Sequence, residues 1–332
     1  MAHILLIRFS ALGDVVMTAP VVSSLAEQYP QHQITVLSRK RMAVYFQHLP
    51  ENVTFRGVDL NDYKGLFGLH RLYRELTADG YDYIADLHDV LRTKVLRFFF
   101  WLRGIPVSHI EKGRDEKKAL TREENKEKKQ LKTSFQRYAD VLKALGFPIT
   151  LEYYPMRMPR QAEDEGENWI GVAPFAAHQG KIYPLDKMQE VVRLLAENSK
   201  NKVFLFGGGK KEREILEKWE KEIPGAESVV GKLKQEEELE LMNQLNVMVS
   251  MDSANMHIAS LVGTPVVSIW GATHPFAGFM GWGQDTKNAM QLDLPCRPCS
   301  IYGNKPCLRG DYACLHLISP KDIIEKVQPF LE

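Results

Sequence analysis

The 332-residue chain has only four cysteines, all between Cys296 and Cys314, too few and too clustered to staple a secreted scaffold. No apolar run reaches the roughly eighteen residues that a membrane-spanning helix needs. The longest candidate, Phe98 to Leu102, is bracketed by Arg97 and Arg103. Charge of neither sign is in excess: 43 Lys and Arg stand against 42 Asp and Glu, a formal net charge of +1, which argues against a protein built mainly to coat nucleic acid. Any anion site must therefore be local. The apolar N-terminal stretch Met1 to Arg8 has no basic head and is too short for a secretory signal, so it reads as a first strand. The cytoplasm is then the expected compartment, with the cysteines as thiols or metal ligands.

What is present points to a two-lobed α/β enzyme. A chain this long exceeds what one core usually organises, and 44% hydrophobic with 26% charged residues is ordinary globular composition. Short apolar runs alternate with amphipathic stretches: His3 to Arg8 as a strand, Asp14 to Gln28 as a helix, Gln33 to Ser38 and Tyr81 to Asp86 as strands, Val90 to Arg103 as a helix. That rhythm predicts a mostly parallel sheet covered on both faces. Arg114 to Lys132 is dense in mixed charge, either a solvated helix or mobile loop, or a flexible arm for an anionic acceptor. Tyr154 to Asn168, with Pro155, Pro159 and an acidic patch, has the composition of a linker. Strand signals then restart at Trp169 to Ala173, Lys202 to Phe206, Val247 to Met251 and Pro265 to Trp270. Two Rossmann-like domains follow, 1–155 and 156–332, with ligands at the carboxyl ends of their strands and a last helix free to pack back on the first domain.

The loops after these strands carry the candidate chemistry. Arg8-Phe9-Ser10-Ala11-Leu12-Gly13-Asp14 joins the first strand to the first helix without the G-x-G-x-x-G of a dinucleotide fold, which lowers the odds of a dehydrogenase. Asp14 is either a first-turn carboxylate favouring the helix N-terminus or a reactive group facing the cleft. In the second half, Lys181 lies in the loop Pro174 to Pro184, where a lysine can meet a diphosphate or simply face solvent. Gly207-Gly208-Gly209 permits positive φ and close approach to a ligand, or is only a tight turn, and Glu212 can accept from ribose hydroxyls or favour its helix start. Asp252-Ser253-Ala254-Asn255-Met256-His257 places small residues at a helix start whose N–H groups suit phosphate oxygens. His257 is either a satisfied core residue or part of that anion-facing end. Cys296, Cys299, Cys307 and Cys314, spaced C-x₂-C-x₇-C-x₆-C, can hold a structural zinc or pack as small apolar residues.

In this order and spacing the chain resembles the ADP-heptose:lipopolysaccharide heptosyltransferases of glycosyltransferase family 9. The matching features are L-G-D at Leu12 to Asp14 followed by Thr18 and Pro20, K-x-[WY]-P at Lys181 to Pro184, G-G-x-x-E-R-E from Gly208, and D-S-x-x-x-H, G-T-P-V-V and G-A-T-H-P from Asp252 to Pro275. The Cys-Arg-Pro-Cys segment and the ending at Pro320 match as well, so the resemblance spans nearly the whole chain. It implies a GT-B fold of two facing Rossmann-like domains, with the acceptor on the first and the donor on the second. It also implies inverting, metal-independent transfer of heptose from ADP-heptose to the lipopolysaccharide inner core. By resemblance, Asp14 is the general base, Lys181 holds the donor phosphates, Glu212 the ribose, and Asp252, Ser253, Ala254 and His257 line the diphosphate pocket. Arg8 and Ser10 are expected to steer the acceptor. Phe175, Tyr183 and Ala254 depart from residues common in the family: Ala254 still leaves its N–H free for phosphate, and Phe175 bears on the sugar pocket. No cofactor is needed for such chemistry. A glycolipid acceptor implies peripheral contact with the inner face of the cytoplasmic membrane, for which Val95 to Leu102 with Arg92, Lys94, Arg97 and Arg103 is the candidate surface. The competing readings are a GT-B transferase for another nucleotide sugar, a nucleotide-sugar epimerase, and a zinc-stabilised binding module without activity.

Overall fold

The computed structural model describes every residue except 153–154, 157, 159–165 and 332, so most of the expected linker lies outside the described residues. In chain order the first elements are β1 (His3–Ile7), α1 (Leu12–Val16), α2 (Ala19–Gln28), β2 (Gln33–Arg39), β3 (Val53–Val58), α3 (Gly65–Thr77), β4 (Tyr83–Asp86), α4 (Leu91–Leu102) and β5 (Val107–His109). After α5 (Arg114–Thr121) and α6 (Ser134–Ala144) come β6 (Asn168–Ala173), α7 (Leu185–Ala196), β7 (Asn201–Leu205), α8 (Gly209–Glu222) and β8 (Ala226–Ser228). The chain continues through α9 (Gln235–Gln244), β9 (Val247–Met251), α10 (Ala254–Leu261), β10 (Val266–Ile269), β11 (Ala289–Met290), α11 (Ala313–His316) and α12 (Pro320–Val327). These form two compact units, Met1–Lys112 with Thr133–Met156, and Gly113–Lys132 with Arg157–Glu332.

The first unit is built on a five-stranded sheet of order β3-β2-β1-β4-β5 and the second on a six-stranded sheet of order β11-β10-β9-β6-β7-β8. Every strand pairing is parallel. Parallel central strands are covered on both faces, which is why Ile4 to Ile7 and Val247 to Met251 are apolar at almost every position and buried throughout. In each sheet the strand order reverses beside the first strand, between β1 and β4 in one and between β6 and β9 in the other. Open α/β sheets bind ligands at this switch point, beyond the carboxyl ends of the strands.

The helix expected over Asp14 to Gln28 is two helices. Pro20 has no N–H to offer Val16 and its ring clashes there, so α1 stops at Val16 and α2 starts afresh with the proline in its first turn. The density of charge from Arg114 to Lys132 does not make a free arm. Leu120 and Leu131 are buried with Ala277, Leu131 N–H donates to Phe276 O at 2.9 Å, and Lys126 Nζ donates to the carbonyls of Cys296 and Pro298. Two apolar anchors and spent lysine protons fix this segment on the second unit. In that unit α12 packs on α7 and β10, with Ile323 and Val327 buried in the same cluster as Met188, Val191 and Leu195.

Candidate active site

At the switch point of the first sheet, Ile7 of β1 pairs with Asp86 of β4, so the loops after both strands leave the sheet side by side. Arg8 is buried at the root of the first loop. Its guanidinium donates to Leu87 O, lies over the Tyr138 ring at 5.5 Å and pairs with Asp14 Oδ2 at 2.7 Å. The Asp14 side chain, 34% exposed, also accepts from Ala11 N–H at 3.3 Å. The capping task and the aim of the carboxylate are therefore fixed together, because Asp14 is the third residue of α1 and reaches back to the N-cap. Arg8, expected to steer the acceptor, is turned inward and holds Asp14.

Asp86 is fully buried and organises the second loop. Its Oδ1 accepts from His88 N–H at 3.0 Å and Asp89 N–H at 2.9 Å, and its Oδ2 pairs with Arg97 Nη1 at 3.0 Å. Arg97 also meets Asp89 at 3.0 Å, and Lys112 Nζ caps Asp89 O at 2.9 Å. The His88 imidazole comes within 3.3 Å of Ser10 Oγ. Burial first, then the cations Arg8 and Lys112, push its pKa down to about 4, so the ring is neutral near pH 7. None of Asp86, His88, Asp89 or Tyr138 stood out in the sequence, although a polar Asp-Leu-His-Asp directly after a strand was the available signal.

The second unit gathers Lys181, Asp252, Ser253, Ala254 and His257 at its own switch point. Lys181 Nζ lies 2.9 Å from Asp252 Oδ2, and Asp252 is only 2% exposed. The lysine loop is held by backbone pairing: Ala272 N–H donates to Gly180 O at 2.8 Å and Gly180 N–H to Gly303 O at 3.2 Å. Gly303 sits at φ +73°, and a Cβ there would come 2.6 Å from Lys181 Cγ, so only glycine clears the lysine stem. Tyr183 is buried with its hydroxyl donating to Ile318 O at 2.9 Å, which anchors the far side of the same loop. Ser253 is the N-cap of α10 but makes no side-chain capping bond, so the first N–H groups of the helix, from Ala254 on, remain available to an anion. His257 follows one turn in and is buried. Thr273, at the loop after β10, is fully buried with a hydroxyl that has no hydrogen-bond partner.

Glu212 stands apart from that cluster in its bonding. Its Oε2 accepts from Gly208 N–H at 2.7 Å, so the carboxylate closes the start of its own helix, with Gly209 at φ +77° completing the turn. The four cysteines line one small cavity with Arg297, yet no three His, Cys, Asp or Glu side chains among the described residues form a group that could hold a metal ion. Burial pushes the Cys314 thiol up to about 11 and raises Cys299 as well, so both are protonated thiols near neutral pH. Of the two readings of these cysteines, structural zinc and packing as small apolar residues, the described residues show the cysteines around one cavity without a close group of metal donors. What the segment does supply is Arg297. Its 2%-exposed guanidinium donates to the carbonyls of Trp270, Gly271, Thr273 and Leu292, tying the cysteine loop to the end of β10.

The model of Glycosyltransferase family 9 (heptosyltransferase) matches residues 69–307. Lipopolysaccharide heptosyltransferase 3 of Escherichia coli is 25% identical over 279 residues, 79% of this chain and 81% of the relative. Lipooligosaccharide heptosyltransferase 2 of Campylobacter jejuni is 22% identical over 330 residues, covering 97% and 96%. Among solved structures, a family 9 glycosyltransferase of Veillonella parvula superposes with a TM-score of 0.76 at 18% identity over 99% of this chain and 97% of that one. The ADP-heptose lps heptosyltransferase II of E. coli gives 0.71 at 18% identity over 99% and 98%. With its motifs at two switch points and the family model spanning most of its length, the chain belongs to glycosyltransferase family 9 and is a glycosyltransferase of GT-B fold.

Proposed function

We propose that the protein transfers heptose from ADP-heptose to a hydroxyl of the lipopolysaccharide inner core with inversion at the anomeric carbon. The observation that carries this reading is the Asp14 carboxylate, partly exposed at the carboxyl edge of its sheet and oriented by a 2.7 Å ion pair with Arg8. The acceptor hydroxyl gives its proton to Asp14 as its oxygen bonds to the anomeric carbon. The bond from that carbon to the diphosphate oxygen breaks with its electron pair, and ADP leaves. A single displacement inverts the carbon through an oxocarbenium-like transition state. The leaving diphosphate needs positive charge and N–H donors, which Lys181 and the start of α10 supply, with Asp252 holding the lysine and Ser253, Ala254 and His257 shaping the pocket. Glu212 serves the ribose by exchanging Gly208 N–H for sugar hydroxyls. The names of the relatives support the donor and acceptor: two are lipopolysaccharide or lipooligosaccharide heptosyltransferases, and a further E. coli heptosyltransferase of similar fold was solved with ADP. Titration calorimetry tests the donor, with ADP binding expected and a preference for UDP or GDP arguing for another nucleotide sugar.

A cytoplasmic enzyme with a lipid-linked acceptor also needs to reach a membrane surface, and the first unit carries a suitable face. Among the described residues ten large apolar side chains are exposed, and six of them, Leu66, Phe67, Leu91, Phe98, Trp101 and Leu102, lie on α3 and α4. Phe67 is 94% exposed. Arg97 does not belong to the lipid-facing charge, since it pairs with Asp86 and Asp89, but Arg92 and Arg103 flank the exposed aromatic side chains of α4, which has no acidic residue. Anionic vesicles should co-sediment the protein at low salt, and Phe98→Ser with Trp101→Ser should weaken this by about tenfold or more. Equal sedimentation of the double variant and the wild type would remove this face from the proposal.

A further inference from the structure

His88 is placed by bonds that have nothing to do with its ring. Its N–H and that of Asp89 are both held by buried Asp86, so the imidazole is delivered to one spot beside the first loop. There Phe9 N–H donates to Nδ1 at 3.5 Å, and Nε2 lies 3.3 Å from Ser10 Oγ. The Phe9 ring meets the imidazole edge-on with centroids 6.3 Å apart. A backbone N–H can only donate, so Nδ1 must be the acceptor and, in a neutral ring, Nε2 carries the proton. The groups facing the ring, Arg8, Lys112 and Arg92 against Asp14, together with burial keep it neutral. Nε2–H then donates to Ser10 Oγ. A hydroxyl that already accepts from the imidazole turns its own proton outward, away from His88, on the loop that also carries Asp14.

We propose that His88 is a positioning residue for sugar transfer, whose Nε2–H fixes the Ser10 hydroxyl as a hydrogen-bond donor to an oxygen of the acceptor sugar beside Asp14. The proposal rests on the reading of Asp14 as the proton acceptor and adds to it a polarised chain running from Phe9 N–H through His88 to Ser10. Asp14 accepts only the proton of the reacting hydroxyl and cannot by itself choose which hydroxyl arrives. A neighbouring donor of fixed direction supplies that choice, because it binds an oxygen lone pair of the same sugar.

The test is steady-state transfer with His88→Ala, His88→Gln, Ser10→Ala and the double variant His88→Ala with Ser10→Ala, varying donor and acceptor separately. His88→Ala and Ser10→Ala should each raise the acceptor KM by about 5- to 10-fold, the loss of one well-made hydrogen bond, with the donor KM and ADP affinity unchanged. The double variant should be no worse than either single variant, since both cut one chain. His88→Gln should restore nearly wild-type acceptor KM, because its amide oxygen can take Phe9 N–H while its NH₂ donates to Ser10. Additive effects, or an unchanged acceptor KM in Ser10→Ala, overturn the proposal, and the serine variant decides alone if His88→Ala does not fold. An inactive Asp14→Asn with silent His88 and Ser10 variants ends this inference and leaves the base. An active Asp14→Asn with a raised acceptor KM in His88→Ala ends the base and leaves the positioning.

Discussion

Asp14→Asn should lower the turnover of sugar transfer by about 10²- to 10⁴-fold, the usual contribution of a general base, while ADP binds as in the wild type. The substitution is a clean one because asparagine keeps the size and one acceptor oxygen. It can still accept from Ala11 N–H at the start of α1, and Arg8 keeps Leu87 O and the Tyr138 ring as partners. What is lost is the charge and the ability to take a proton. A first-turn carboxylate contributes about 0.3–1 kcal/mol to its helix, and the loss of the charge facing buried Arg8 adds to that, so thermal melting should fall while ADP binding holds. A capping role alone predicts the same loss of stability but full activity, so turnover decides between them. Single-turnover transfer beside a melting curve separates the two.

Lys181→Ala should weaken ADP binding by about 10- to 100-fold, the worth of one charge-assisted hydrogen bond to phosphate. It should also destabilise the second unit. Asp252 is 2% exposed and its cation is 2.9 Å away, so removing the lysine leaves a buried carboxylate without compensation. Breaking a fully buried pair costs about 3–5 kcal/mol, and the 15% exposure of Lys181 puts the expected loss here at roughly 2–4 kcal/mol. Asp252→Asn added to Lys181→Ala should recover much of that stability without recovering ADP affinity. Such a split assigns the stability loss to Asp252 and the binding loss to Lys181. Calorimetry and denaturant melts on the three proteins make the comparison, and unchanged ADP affinity in Lys181→Ala would count against the phosphate role.

Strands were legible wherever both faces are buried, because β1, β9 and β10 are short runs dominated by Ile, Leu, Val and Met. The helix after β1 was read as one because its apolar positions continue across Met17 and Thr18. Only Pro20, acting four residues back on Val16, breaks it. Candidate loops stand out in the sequence where they follow a strand and carry small or charged residues, as at Asp14, Lys181 and Asp252. What pairs with what does not. The Lys181 to Asp252 contact joins the loops after β6 and β9, with β7, β8 and three helices between them in sequence, and the pairing of Arg8 with Asp14 depends on Leu87 and Tyr138, which come from other elements of the first unit. The cysteine spacing leaves a metal and apolar packing both open, while the residue that ties the segment down is Arg297, most of whose partners are backbone carbonyls that no residue type announces. Likewise, lysines from 114 to 132 read as solvated, and only Leu120 and Leu131 mark the face that packs.

The most direct test is to incubate the purified protein with ADP-heptose and a lipopolysaccharide acceptor truncated in its inner core, and to determine the product by mass spectrometry and the anomeric configuration by NMR. The account predicts one added heptose per acceptor, inverted relative to the donor, with release of ADP. ADP-heptose that binds but is neither transferred nor consumed, or a product that retains the donor configuration, would contradict it.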